Sequence, residues 1–453
     1  MLKRILIANR GEIALRIIRC CREMGIETVA VYSTADKETL PVMLATYSVC
    51  IGPAKASESY LNEDAILTAA LKMECDAIHP GYGFLSENAH FAKKCEKNGI
   101  TFIGPSGEII EKMGDKQTAR QMMIRCGVPV VPGSQGLIDT LEDAKAEAER
   151  IGYPVLIKAS AGGGGKGMRK VFAPEELANA FWAAKEEARA AFGNDALYME
   201  KLILNPHHIE FQILGDKQGN LIYLGERDCS IQRRNQKLLE ESPAWVLSED
   251  LRKQMGEAAV KAAKAANYYS AGTVEFVLDS ENHFYFIEMN TRIQVEHPVT
   301  EMLTGVDLLK EQIRIAAGRE LELNQEDIKI DGHAIECRIN AEAAGKIGHL
   351  HFPGGYGVRI DSHLYGGCEV SPYYDSMVAK VIVKGQTRLE AIKRLRRALE
   401  ELIIENLKTN AEFMHLLTYH PEFVRGSYDT SFWETYSETI LKWYEEGFDG
   451  SLE

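Results

Sequence analysis

The 453-residue chain lacks several things whose absence excludes whole classes of protein. It has no Cys-x-x-Cys pair, no Walker-type Gly-Lys-Ser/Thr string, no internal repeat and no low-complexity tract. Its nine cysteines are an odd number and scattered, which favours reduced thiols in a cytoplasmic protein over disulfides or structural zinc. Adjacent Cys20 and Cys21 carry no motif and are not expected to face the core of one helix together. No apolar run is long enough to span a membrane, and the opening MLKRILIANR reads as a strand, too short for a signal peptide. The expected location is the cytoplasm, with no membrane contact. Positive charge is in deficit: 52 Lys and Arg face 66 Asp and Glu, a net charge of −14, which argues against a nucleic-acid-binding face. Lys393–Arg397 lies on a helical pattern whose charges read as a solvated face, and Arg233-Arg234 as a surface cluster. What remains is ordinary: 45% apolar and 26% charged residues, enough for two or three packed globular regions.

Three regions separate along the chain. Residues 1–114 alternate strand and helix (LKRILIA, GEIALRIIRCCREMG, ETVAVYS, NEDAILTAALKME, DAIHP, ITFIGP), the pattern of a Rossmann-like domain with a parallel sheet. Residues 115–330 hold the helix KQTARQMMIRC and a small α/β unit, about 132–204, hinged at Pro132-Gly133 and at Leu204–Pro206 as a mobile lid. They end on TGVDLLKEQIRIAAG, read as one amphipathic helix stopped by Gly318. Residues 331–453 are β-rich (GHAIECRINAE, YGVRID, MVAKVIVKG) and close with helices from 387 onward. The fold class is therefore mixed α/β and α+β.

Two strings carry chemistry. In GTVEFVLDSENHFYFIEMNTRIQVEHPVTE, residues 272–301, two aromatic and β-branched runs flank a turn. A two-residue turn at Glu281-Asn282 sets Glu275 opposite Glu288, and like charges so placed call for a cation. Alternation along the second strand sends Phe284, Phe286, Glu288, Asn290 and Arg292 to one face. Two carboxylates and the Asn290 amide oxygen suit Mg²⁺, with Mn²⁺ also accommodated. The second string, Ser160-Ala-Gly-Gly-Gly-Gly-Lys-Gly-Met168, joins two strands as a glycine loop whose amides can cover phosphates, flanked by Lys158 and Lys166.

Together these strings resemble the ATP-grasp enzymes, and specifically the biotin carboxylases. The resemblance covers nearly the whole chain: LIANRGEIA, HPGYGFLSEN (79–88), FIGPS, MGDK (113–116), KASAGGGGKGM (158–168), GERDCSIQRRNQK (225–237), EMNTRIQVEHPVTE (288–301), ECRINAE and PYYDSM occur in the family's order. It implies an ATP-grasp middle domain, between a biotin carboxylase amino-terminal domain and a carboxy-terminal one. It implies ATP binding by Lys116, Lys158, Gly164, Gly165, His208, Gln232 and Asn235, with Glu200, Lys201, Ile203 and Val277 around adenine and the metal on Glu275, Glu288 and Asn290. Bicarbonate falls to Lys237, Arg292, Gln294 and the Val295 amide, and Glu296 becomes the base. Arg338 stabilises the enolate-like oxygen of biotin, and Tyr82 touches its ring. Implied partners are a biotin carboxyl carrier protein, carboxyltransferase subunits and a second copy in a homodimer. The implied activity is the biotin-carboxylating half reaction of acetyl-CoA carboxylase, a ligase step of fatty acid biosynthesis.

Some features read differently. Position 235, often histidine in the family, is Asn235, and the segment after Glu342 (AAGKIGHLHFPGG) is shorter than usual close to Arg338. His349-Leu-His351 has a metal-pair spacing without an acidic or thiol partner. Ala70-Leu-Lys-Met73 falls in a helix, whereas a biotin-carrying lysine needs a hairpin tip, so biotin is expected to arrive on another protein. The same half reaction serves a pyruvate or other acyl-CoA carboxylase. A carboxylate–amine ligase has no use for Lys237, Gln294, Glu296 and Arg338 together. A non-catalytic ATP-binding regulatory subunit is expected to have lost the base or the arginine, and both are present.

Overall fold

The computed structural model describes residues 2–134, 136–160 and 167–447. The amino-terminal strands β1 (Arg4–Ile7), β2 (Glu27–Ser33), β3 (Tyr47–Gly52), β4 (Ala77–His79) and β5 (Thr101–Phe102) form a parallel sheet ordered β3-β2-β1-β4-β5. This is the doubly wound arrangement expected from alternating strand and helix strings. Helix Gly11–Glu23 is buried on more than one side, so Cys20 and Cys21 are both fully buried, contrary to the expectation for neighbours on one helix. It packs on the parallel sheet, on helices Leu40–Leu44 and Leu308–Ala316 and on two carboxy-terminal strands, Val358–Ser362 and Met377–Gly385, which together leave little solvent-facing arc. All nine cysteines are free.

Strands β6 (Val155–Ala159), β7 (Met168–Val171) and β8 (Leu197–Lys201) make a three-stranded antiparallel sheet with its own apolar core around Ile157, Phe181 and Met199. Helix Lys116–Cys126 precedes it, capped by Asp115, which accepts from the Thr118 amide at 2.7 Å, and stopped by Gly127 at φ +68°. The third unit is an eight-stranded sheet. It uses β9 (His207–Gly215), β10 (Leu221–Arg233), β11 (Gln236–Ser242), β12 (Ser270–Leu278), β13 (Phe284–Asn290), β14 (His333–Asn340), and two strands beyond the short β15 (Gly345–Lys346) and β16 (Leu350–His351). These are β17 (Val358–Ser362) and β19 (Met377–Gly385), with the two-residue β18 (Glu369–Val370) between them. The order β13-β12-β9-β10-β11-β14-β19-β17 makes one sheet of the middle and last regions.

The stretch read as an amphipathic helix ended by Gly318 forms one, Leu308–Ala316, and a short helix that the reading did not include, His297–Thr304, precedes it. Helix His297–Thr304 stops at Gly305 (φ +73°), and helix Leu308–Ala316 restarts on Asp307, whose side chain accepts from the Lys310 amide. The first helix carries too few apolar repeats to show as a pattern, and Pro298 occupies its opening turn. After Glu342 the shortened segment is held by two small strand pairs: β15 on β18, and β16 on β20 (Ile403–Ile404). No helix among the described residues is long and apolar enough to cross a membrane.

The last helices are fastened to the sheet by Glu241. Its carboxylate meets His333 Nε2 at 2.5 Å, Arg388 Nε at 2.7 Å and the Tyr428 hydroxyl. Burial would raise this carboxyl, but the His333 bond and Arg388 hold it at about 2, against an ordinary 4.5. A depressed carboxyl adds stability above its unfolded value and loses it as pH falls through its folded one. Glu241→Gln is therefore expected to cost about 3–5 kcal/mol near neutrality. The gap from wild type should narrow from pH 4.5 down to about 2, as read from denaturation midpoints.

Candidate functional site

The hairpin β12–β13 builds the site through a register that changes once. Near its tip, Leu278 faces Phe284 and Phe276 faces Phe286; beyond, Glu275 faces Glu288 and Thr273 faces Asn290. The turn is three residues long (Ser280–Asn282, with Asn282 at φ +64°) rather than two, and Ile287 is the extra residue of a bulge that restores the expected pairing. The bulge corrects the single-face reading: Phe286 joins the apolar core with Phe211 and Phe276, while Glu288 and Asn290 turn to the opposite, polar face.

On that face the register makes a row across four strands: Glu288, Glu275, Glu210 and Arg227. Fully buried Arg227 binds Glu210 and donates to Gln212 and Thr300 at 2.9 and 2.8 Å. The Lys237 ammonium lies among three carboxylates: Glu210 at 2.5 Å, Glu296 at 2.7 Å and Glu275 at 3.2 Å. Glu275 also meets His208 Nε2 at 2.8 Å and accepts from Asn290 Nδ2 at 2.7 Å and Gln294 Nε2 at 3.1 Å. Gln232 fixes the other nitrogen of His208 at 2.8 Å. Burial alone would keep these carboxyls protonated. Lys237 and then His208 outweigh it at Glu275, and Lys237 and then Arg338 at Glu296, so both stay ionised. Glu210 moves the other way, pushed up by burial and by Glu296.

Arg338 is shared between Glu240, on Nε at 2.6 Å, and Glu296, at 3.0 Å. Its carbonyl accepts from Asn410 Nδ2 at 3.0 Å, which ties its backbone to the last region. Arg292 does not pair with Glu296 four residues on. It binds Glu87 at 2.8 Å, Gln294 Oε1 at 2.6 Å and Asn290 Oδ1 at 3.2 Å. Tyr82 donates its hydroxyl to Glu12. Tyr82, Lys237, Glu288, Arg292, Gln294, Val295, Glu296 and Arg338 share the wall of one cavity of about 910 Å³.

A second cavity of about 740 Å³ adjoins it, Lys116, Lys158, His208, Gln232 and Asn235 lining both. Glu200–Asn205, Val277 and Phe286 give it an apolar slot with a polar mouth. Lys158 is held by Glu200 at 2.5 Å, and Lys116 stands 3.4 Å from Glu288. The Lys201 ammonium turns away onto the Gly152 and Tyr153 carbonyls. Gly164 and Gly165 lie outside the described residues. Asn235 follows Arg234 in the two-residue turn between β10 and β11, both at positive φ, a conformation asparagine tolerates well.

The donor set fits a hard divalent cation: two carboxylates on one face, plus an amide. Asn290 donates Nδ2 to Glu275 and accepts from Arg292 at Oδ1, which keeps a second lone pair for a cation. His349 and His351 belong to neither His/carboxylate/thiol cluster found among the described residues. Lys72 ends a helix, away from any hairpin tip. Sequence reading missed Glu87, Glu210 and Glu240, which orient Arg292, Lys237 and Arg338. Each looks like an ordinary charge in its string; only Glu210, in the apolar run HIEFQIL, signals itself by interrupting a buried strand.

Three family models match in succession: "Biotin carboxylase, N-terminal domain" over residues 1–110, "Carbamoyl-phosphate synthase L chain, ATP binding domain" over 115–324, and "Biotin carboxylase C-terminal domain" over 336–435. The chain is 57% identical to Biotin carboxylase 1 of Bacillus subtilis over 445 residues, 96% of this chain and 99% of the relative. It is 52% identical to a pyruvate carboxylase subunit from Methanothermobacter thermautotrophicus, covering 97% and 91%. Among solved structures, biotin carboxylase from Campylobacter jejuni superposes with a TM-score of 0.94 at 51% identity, covering 96% and 99%. The biotin carboxylase domain dimer of Hydrogenobacter thermophilus 2-oxoglutarate carboxylase, described with MgADP, ADP and bicarbonate, gives 0.93 at 50%, covering 97% and 99%.

Because Lys237 holds Glu275 and Glu296 ionised, Lys237→Met removes stability that is fully present above the ordinary carboxyl value of 4.5 and is lost only as pH falls from there through their depressed folded values. The variant is expected to melt below wild type throughout pH 8 to 4.5, by at least about 3 kcal/mol at neutrality, and the gap to narrow only as pH falls below 4.5 toward about 3. Thermal unfolding across that range reads the trend.

Proposed function

Because the chain belongs to the biotin carboxylase family, an ATP-dependent ligase family, we propose that it carries out the first half reaction of an acetyl-CoA carboxylase: carboxylation of biotin on a biotin carboxyl carrier protein. The observation that supports it most is Glu296 held between Lys237 and Arg338, a base for one substrate touching the arginine that serves the other. The 740 Å³ cavity is read as the ATP site, and the 910 Å³ cavity as the place where bicarbonate and biotin meet.

Bicarbonate is a poor electrophile, because its carbon sits between anionic oxygens. Transfer of the ATP γ-phosphoryl group to one oxygen gives carboxyphosphate and ADP, and carboxyphosphate breaks to carbon dioxide and phosphate beside the ureido ring. Such transfer needs alignment and charge neutralisation more than covalent help. Lys116, Lys158 and His208 bear on the phosphates. Arg292 offers a planar fork to bicarbonate, with Lys237, Gln294 and the Val295 amide around it. Ionised Glu296 accepts the bicarbonate proton, and Arg338 stabilises the ureido oxygen as the ring nitrogen gives its own proton to the released phosphate and bonds to the carbon of carbon dioxide. Mg²⁺ (or Mn²⁺) on Glu275, Glu288 and Asn290 supplies neutralisation of phosphate charge when bound.

The division 1–114, 115–330 and 331–453, with a closing lid, goes with this reading. So do a homodimer like the Hydrogenobacter domain, carboxyltransferase partners and a cytoplasmic setting. Identities of 50–52% to chains from 2-oxoglutarate and pyruvate carboxylases favour a second reading of the complex, not of the half reaction. The carboxyltransferase that co-purifies separates the two.

The test is ADP release by the purified chain with Mg-ATP and bicarbonate. Release that needs bicarbonate and rises with free biotin supports the half reaction, and release indifferent to biotin overturns it. Glu288→Lys puts an ammonium where the metal belongs and should abolish ATP turnover. Arg338→Ala should lower biotin carboxylation by about 10²–10³-fold while sparing more of the bicarbonate-dependent ATP cleavage. Equal losses in both assays contradict the role given to Arg338.

A further inference from the structure

Lys380, in the middle of β19, is fully buried, and nothing in the reaction as described uses it. Burying an ammonium costs several kcal/mol, and an apolar residue of like volume would serve stability as well or better. Its contacts point to what it does. Nζ donates to the Val295 carbonyl at 2.8 Å, stands 3.1 Å from Glu12 Oε1, and has Asp361 at 3.9 Å. Register places Arg338 and Asp361 directly on either side of it. Burial would discharge Lys380, but Glu12, then Glu336 and Asp361, keep it protonated. Both Glu336 oxygens are buried without hydrogen-bond partners, and burial raises that carboxyl and also that of Glu12, whereas at Asp361 Arg359 and then Lys380 outweigh burial and hold the carboxyl below its ordinary value. Glu12 in turn accepts from the Tyr82 hydroxyl.

Two ends of the larger cavity thus hang on one group. The Val295 carbonyl belongs to the peptide leading into Glu296, so fixing it sets the plane next to the Val295 amide and the direction in which the Glu296 side chain leaves. Through Glu12, the same ammonium holds Tyr82, which lines the same cavity. We infer that Lys380 is a positioning residue that holds the Arg292–Glu296 loop in its bicarbonate-binding form and couples it, through Glu12, to the Tyr82 wall that receives biotin. The inference rests on the proposed function.

The test compares wild type, Lys380→Met and Lys380→Met/Glu12→Gln by initial rates of ADP release against bicarbonate, ATP and free biotin. The double variant also removes the Glu12 charge that Lys380→Met alone would leave unpaired, and the introduced amide can still accept from Tyr82. In both variants the KM for bicarbonate should rise about tenfold or more, while that for ATP stays within about twofold. The double variant should regain thermal stability without regaining bicarbonate affinity. A bicarbonate KM near wild type in the folded double variant overturns the inference while the proposed function stands. So does a parallel rise in both KM values, or failure of both variants to fold, each marking a merely structural lysine. Absence of bicarbonate-dependent release in wild type itself overturns the proposed function, and the inference with it.

Discussion

The ammonium of Lys237 among Glu210, Glu275 and Glu296 is the interaction on which the rest of the site depends. The eight-stranded sheet puts Glu288, Glu275 and Glu210 side by side on neighbouring strands, an arrangement that destabilises itself unless cations are interleaved. Arg227 answers at the buried end of the row, Lys237 above its middle, and among the described residues the exposed end at Glu288 has only Lys116 at 3.4 Å. The row is thus least compensated where it opens to the cavity, and that is where a divalent cation with phosphate fits. Binding charge and internal charge form one distribution.

This polar face is paired with an apolar one. Behind Glu275 and Glu210 the same strands present Phe276, Val274, Ile209 and Phe211 to a core closed by helix Glu249–Ala265. Strict alternation along β9 and β12 lets one sheet be both a hydrophobic core and a rigid charged platform. Buried ion pairs contribute little net stability, because desolvation offsets their attraction. The apolar clusters therefore keep the platform folded, and the charges determine what it binds.

Much of this was legible in the residues. The parallel amino-terminal sheet follows from its alternating strings, and the opposition of Glu275 and Glu288 from two β-branched runs around a turn. The bulge at Ile287 was not, because one extra residue in the turn and one in the strand cancel and leave the outer pairing unchanged. Helix His297–Thr304 was hidden by its brevity. Burial of both Cys20 and Cys21 depends on several elements closing round one helix, which no local pattern reports. The orienting groups Glu12, Glu87, Glu240 and Lys380 were missed for a shared reason. Each acts on a residue distant in sequence: Glu87 meets Arg292, and Lys380 meets Val295. Spacing motifs report local geometry and are blind to such pairs. Asn235 is the converse, a departure in sequence that the positive-φ turn at 234–235 accommodates.

The central claim is that Lys237 keeps Glu275 and Glu296 ionised inside a buried site. Carbon-13 NMR of the wild-type protein with labelled glutamate carboxyls, assigned with Glu275→Gln and Glu296→Gln, measures it directly. The account predicts that both signals stay at the carboxylate shift as pH falls past 4.5, the ordinary glutamate value, for as long as the protein remains folded. Titration of either carboxyl at or above that value would contradict it.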